Sequence, residues 1–181
     1  MRKTRREEHA AGKQQAQANN ECLFFAYDRL MDGMHMTWHC PHAVKAGAAR
    51  LAGYRFIINS DGRSSLLPHK HAAVHGILWS LPPQDATRLA RHIGADVGIY
   101  DQHPVEVDCS TKQTHEVLTY RARNATPGHP IRQEMLDLIN IATAQKFPIP
   151  YLLELVGWLR NDAPTMSWIC SVSQEHSSSH N

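Results

Sequence analysis

The run AAVHGILWSL at residues 72–81, closed by Pro82-Pro83, constrains this chain more than any other stretch. It is rich in β-branched, aromatic and aliphatic side chains and reads as a strong, largely buried strand. The two prolines open a helix, because proline is tolerated in a helical first turn. In that helix Ala86, Leu89, Ala90 and Ile93 fall on one apolar face by the i, i+3, i+4, i+7 rule. Gly94 stops it.

The rest of the chain supplies more strands. CLFFAY (22–27) reads as a buried strand, and AGAARLAGYRFIIN (46–59) as one or two strands broken at Gly53. RSSLLP (63–68) is a short strand. HPVEVDC (103–109) and HEVLTYRA (115–122) alternate with period two and form a hairpin across a polar turn. Two helices follow. PIRQEMLDLINIATAQKF (130–147) puts Ile131, Met135, Leu138 and Ala142 on one face, and PYLLELVGWLR (150–160) follows Pro148 and Pro150. Strands clustered ahead of C-terminal helices, with one helix inserted, predict an α+β fold. It would be a small, mainly antiparallel, barrel-like sheet with flanking helices.

Composition bounds the possibilities. A length of 181 residues with 42% hydrophobic content suits one domain with a real core. No apolar run approaches the roughly 20 residues that a membrane helix needs. The polar start carries no apolar h-region, so no secretory signal is expected and the chain reads as cytoplasmic. Residues 1–20 read as a disordered basic tail and 161–181 as a flexible C-terminal tail, leaving 21–160 as the folded domain. RKTRR at 2–6 is a solvated charge run, and no aromatic-plus-basic strand pattern points to nucleic acid. Thirteen histidines on a formal charge of +2 make the charge sensitive to mild acid. Cys22, Cys40, Cys109 and Cys170 form no CxxC pair and read as reduced structural thiols.

Five stretches carry a resemblance. FAYDRLM stands where a strand would end in a YGSNL turn. WHCPHAVKAGAARLAGYRFIIN, VHGILW, IGADVGIY and PIRQEMLDLINIATAQKFPIPY follow in order with plausible spacing. Over roughly residues 23–156 the sequence resembles the γ-glutamylcyclotransferase superfamily, which includes the AIG2-like proteins. The resemblance implies a small twisted barrel and, in the family's enzymes, cleavage of γ-glutamyl amines or peptides. The substrate's own α-amine attacks its γ-carbonyl and releases 5-oxoproline and a free amine. Neither metal nor cofactor is implied. A glutamate of an EG pair acts as general base, and the YGSNL backbone supplies donors. Carried onto this chain, the ligand-binding positions are Tyr27, Asp28, Arg29, Leu30, Ile93 and Tyr100.

Three positions depart from the pattern. Ile93 stands where the glutamate is expected, and it also fits the apolar face of its helix. Asp28 replaces the turn glycine; aspartate tolerates positive φ, so the turn can survive, but its charge would repel a ligand carboxylate. Arg29 could clamp that carboxylate bidentately. Alternatively, Asp28 and Arg29 face solvent or pair with each other. Glu134 takes the place of a tyrosine that begins the C-terminal helix of relatives. It reads either as a displaced base or as dipole-favoured surface. Asp96 and Asp101 are weaker substitutes.

Histidine spacing raises a metal hypothesis. His35 and His39 are i, i+4 if HMTWH is helical, with Cys40 and His42 beside them; His69, His71 and His75 form a second group. None matches a strict motif, and His75 is expected to pack in the sheet. No GxSxG, GxGxxG or P-loop is present. Two readings remain. One is a ligand-binding relative without the usual base, holding a γ-glutamyl or related small amine or amide as a monomer or homodimer. The other is an active enzyme with its base moved to Glu134.

Overall fold

The computed structural model describes residues 21–109 and 114–160. The expected tails at 1–20 and 161–181 lie outside the described residues, as does Cys170. In order, the elements are β1 (Cys22–Ala26), a 3-10 turn (Arg29–Met31), α1 (Gly33–His39), β2 (Val44–Ile58) and β3 (Ser64–Leu81). There follow α2 (Pro83–Ile93), β4 (Tyr100–Cys109), β5 (Thr114–Ala122), α3 (Arg132–Ala144) and α4 (Ile149–Leu159).

The five strands close into a barrel in the order β1-β3-β2-β4-β5. Every pairing is antiparallel except the closing one, where β1 meets β5 in parallel at Phe24 and Leu118. This is the mainly antiparallel, barrel-like α+β architecture expected from the strand pattern.

The β2–β3 hairpin differs from expectation in detail. β2 runs unbroken for 15 residues, and RSSLLP and AAVHGILWSL fuse into one 18-residue strand. Gly53 does not end β2. It holds φ +78° and marks an irregularity between the pairs Ala52↔Ala73 and Tyr54↔Pro68. Glycine takes that conformation without the Cβ penalty, so the strand bends and continues. Pro68, which has no N–H for the ladder, sits at this same break.

α2 is built as the sequence implies. Pro82 and Pro83 open it, and Gly94 ends it in the left-handed region at φ +78°, its N–H donating to the Ala90 and Arg91 carbonyls. Leu89 is buried, whereas Ala86, Ala90 and Ile93 are partly buried against the core. α1 was visible in the sequence only as a condition on the HMTWH spacing. Asp32 caps it, accepting from the backbone N–H of Met34 and His35 at 3.0 and 3.1 Å.

The core fills the barrel and runs under the C-terminal helices. Met135, Leu138 and Ala142 of α3 and Tyr151, Leu155 and Trp158 of α4 are buried. Trp158 meets Phe56 edge-on, 6.4 Å between centroids. Ile131, expected on α3's apolar face, is instead its N-cap and is 58% exposed. Polar ties cross the barrel: Thr119 Oγ1 donates to the Phe25 carbonyl at 2.8 Å, and Ala122 N donates to Ser65 Oγ at 3.1 Å. No helix among the described residues is long and apolar enough to cross a membrane.

Candidate functional site

β1, β2 and β5 end, and β3 and β4 begin, at the same mouth of the barrel. A cavity of about 280 Å³ opens there. Seven site residues named from the sequence line it: Tyr27, Asp28 and Arg29 with Leu30 from the turn after β1, Ile93 at the end of α2, Tyr100 at the start of β4, and Glu134 in the first turn of α3. The weaker substitutes Asp96 and Asp101 do not line it, and Asp101 pairs with Arg123 at 2.8 Å. Residues more than a hundred positions apart thus share one wall.

The turn after β1 survives by a device other than the expected one. Asp28 has φ −119°, so its backbone is extended rather than left-handed. Its side chain replaces the missing glycine's freedom by capping the 3-10 turn: Oδ1 accepts from Leu30 N at 2.9 Å. Met31 N then donates to the Asp28 carbonyl at 3.0 Å and closes the turn. Asp28 and Arg29 do not pair with each other. Arg29 faces Glu134 across the mouth at 3.9 Å, with both side chains about half exposed. Such an exposed pair is worth little energetically. It does join the expected carboxylate clamp to the expected displaced base.

Burial dominates the electrostatics. Loss of water pushes the Asp28 carboxyl above its ordinary value, offset in part by the Leu30 N–H and the Arg29 charge. Tyr27 and Tyr100 are also pushed up, first by burial; the Asp28 charge adds to both. Neither hydroxyl is idle. Tyr27 Oη donates to the Tyr120 carbonyl at 2.6 Å, and Tyr100 Oη donates to the Ser64 carbonyl at 2.9 Å. These bonds lock the two rings to β5 and β3. Ile93 brings only hydrocarbon to the wall.

The sequence did not point to His92, Arg63, Ser64, Ile58 or Tyr120, which also line the cavity. Tyr120 could have been found from the period-two face of β5. Arg63 and Ser64 follow the Asp61-Gly62 turn, a local hairpin signal that carries no information about a cavity, and only the closed barrel brings them to the mouth. His92 stacks on His39, 3.4 Å between ring centroids, and burial followed by the Arg29 charge lowers its pKa.

The histidine groups take other roles. HMTWH is helical, but the His39 ring is stacked on His92. His75 packs in the sheet against Tyr151 and Phe147, at 5.1 and 5.7 Å. Among the described residues no three His, Cys, Asp or Glu side chains converge as a metal site. Cys40 is buried, and burial together with Asp85 pushes its thiol up to about 11, which keeps it protonated at neutral pH.

Comparisons with known proteins agree with this architecture. Among solved structures, one titled γ-glutamyl cyclotransferase superposes with a TM-score of 0.71 at 19% identity, covering 77% of this chain and 88% of the other. An uncharacterised human protein gives 0.70 at 20% identity, with 76% and 88% covered. A yeast γ-glutamyl cyclotransferase specific to glutathione gives 0.58 at 13% identity, with 79% and 97% covered. At these identities the likeness concerns the fold. No protein of curated function matches at the sequence level. The family profile described as "Gamma-glutamyl cyclotransferase, AIG2-like" matches residues 24–138, so this chain belongs to the AIG2-like γ-glutamyl cyclotransferase family.

Proposed function

We propose that the cavity binds a γ-glutamyl compound, or a related small amine or amide, and lacks the family's usual proton acceptor. One observation carries the reading: Ile93, the position at which the sequence resemblance places the family's glutamate, lies in the wall of the cavity that also holds Tyr27, Asp28 and Arg29. Cyclisation forms a bond from the ligand's α-amine nitrogen to its γ-carbonyl carbon and breaks the bond to the departing amine. The attacking nitrogen must shed a proton, and the departing nitrogen must gain one. An aliphatic side chain does neither. A missing general base costs typically 10²–10⁴-fold in rate, roughly. Binding is not impaired in the same way. Arg29 and Arg63 offer guanidinium partners for a carboxylate, and the aromatic and aliphatic lining suits a ligand's carbon chain.

The test combines calorimetric binding with release of 5-oxoproline from a panel of γ-glutamyl amides. The wild type is expected to bind without release above background, and Ile93→Glu to raise release by about 100-fold or more. Turnover by the wild type equal to that of Ile93→Glu would sink the proposal. The position of Glu134 on the same wall supports a second reading, an active enzyme with a displaced base. Release by the wild type that Glu134→Gln abolishes would favour that reading; equal release by the two would remove it.

A further inference from the structure

Asp28 is an acid in the cavity that forms no direct ion pair among the described residues. One carboxylate oxygen caps the 3-10 turn through Leu30 N at 2.9 Å. A carboxylate offers about four lone-pair sites, so most of its accepting capacity remains. The neighbouring hydroxyls do not use it, since Tyr27 and Tyr100 donate to the carbonyls of Tyr120 and Ser64. The nearest guanidinium in sequence, Arg29, turns across the mouth to Glu134. Asp28 still lies close enough to Tyr27 and Tyr100 to raise the pKa of both, which puts its charge among the rings of the wall. A partly buried carboxylate there, short of water and offset only in part by the Arg29 charge, costs free energy until a closer cation reaches it.

We propose that Asp28 is the specificity-determining residue of this cavity, taking the ammonium group of the ligand. The inference rests on the ligand-binding reading of the site and adds to it the group that decides between ligands: an amine beside a carboxylate, rather than a simple acid. It also accounts for an acid at a turn where the family pattern has glycine, on the same cavity that has lost one at position 93. The arrangement agrees with binding in the absence of turnover. A carboxylate paired to an ammonium stabilises the protonated nitrogen, which has no lone pair with which to attack.

The capping role alone would not require a charge, since asparagine and serine also cap. That separates the proposal from a purely structural role. The full chain is titrated by calorimetry with γ-glutamylmethylamide and with its des-amino counterpart, the mono-methylamide of glutaric acid. The wild type is expected to prefer the amine by about tenfold or more, the usual scale for a hydrogen bond between charged groups. Asp28→Asn is expected to lose that preference, with affinity for the des-amino compound no weaker than in the wild type, and to stay folded by near-UV circular dichroism. Asp28→Ser serves the same purpose should the asparagine variant not fold. A wild type that binds both probes equally, or an Asp28→Asn protein that keeps the preference, overturns this inference and leaves the ligand-binding reading standing. A wild type that binds neither probe overturns both.

Discussion

Asp85 is fully buried at the start of α2, and its carboxylate accepts the His42 N–H at 2.7 Å. The His42 ring lies 3.4 Å from the other carboxylate oxygen, and Arg88 approaches at 3.8 Å. The acid therefore ties the turn after α1 to the helix that carries Ile93. Asp85→Ala would strand a partly buried N–H and is expected to cost about 1–3 kcal/mol, read as a shift in urea midpoint. At this scale the sequence was legible for residue type but not for role. Asp28 was recognised as the turn's substitute for glycine, yet its backbone was expected at positive φ and lies at −119°. Whether a side chain caps a turn depends on where the next two N–H groups point, and only the folded backbone decides that. From the sequence Arg29 reads as a clamp for the ligand's carboxylate, and Glu134 either as a displaced base or as surface. They face each other because α3 packs beside the 3-10 turn, a contact between residues 105 positions apart.

Among the elements, β1 and β3 pack at the limit of close approach. Gly76 lies opposite Ala49 in the β2–β3 ladder, and a Cβ there would collide with the Ala26 carbonyl oxygen and come within 2.6 Å of the Phe25 ring. Both obstacles are buried and neither can swing away. Gly76→Ala is expected to destabilise the barrel by roughly the 1–3 kcal/mol or more of an overpacked core. The check is thermal melting together with near-UV circular dichroism. Most elements could be read from the sequence, because period two, period 3.6 and the Pro82, Pro83 and Gly94 signals are local. The misreadings came where a neighbour overruled local chemistry. Gly53 reads as a break within one strand or between two, and β3 continues alongside and keeps β2 paired beyond the break. α1 is too short for a clear apolar stripe, and its cap at Asp32 goes unnoticed without the turn that precedes it.

For the whole molecule, the histidines set the response to acid. His39, His69, His75, His92 and His103 are all held below the ordinary value of 6.5, in each case first by burial. A histidine depressed in the folded state binds its proton more readily when unfolded, so stability rises with pH across the window up to 6.5. Their contribution is complete above that value and is lost as pH falls from 6.5 toward the folded values. Asp28 and Glu154 act oppositely and lower on the scale. Burial raises both from 3.8 and 4.5, so each favours the folded state increasingly as pH drops through its raised value. Melting temperature is therefore expected to fall between pH 7.5 and pH 5.5. Alanine at His75, packed on Tyr151 and Phe147, should flatten part of that slope. A melting temperature constant over this range would count against the buried-histidine account.

The sequence alone determined the order and kind of most elements and the family, because those follow from periodicity, from proline and glycine, and from short motifs whose spacing survives at low identity. It also named seven residues that share one cavity, and it singled out Ile93. Tertiary structure alone decided what faces what: Arg29 against Glu134, His92 against His39, and Asp28 in the wall with Arg63 and Tyr120 nearby. The physical reason is range. Helix and strand signals act within a few residues, whereas the charge and burial of a side chain depend on segments brought together only when the barrel closes between β1 and β5.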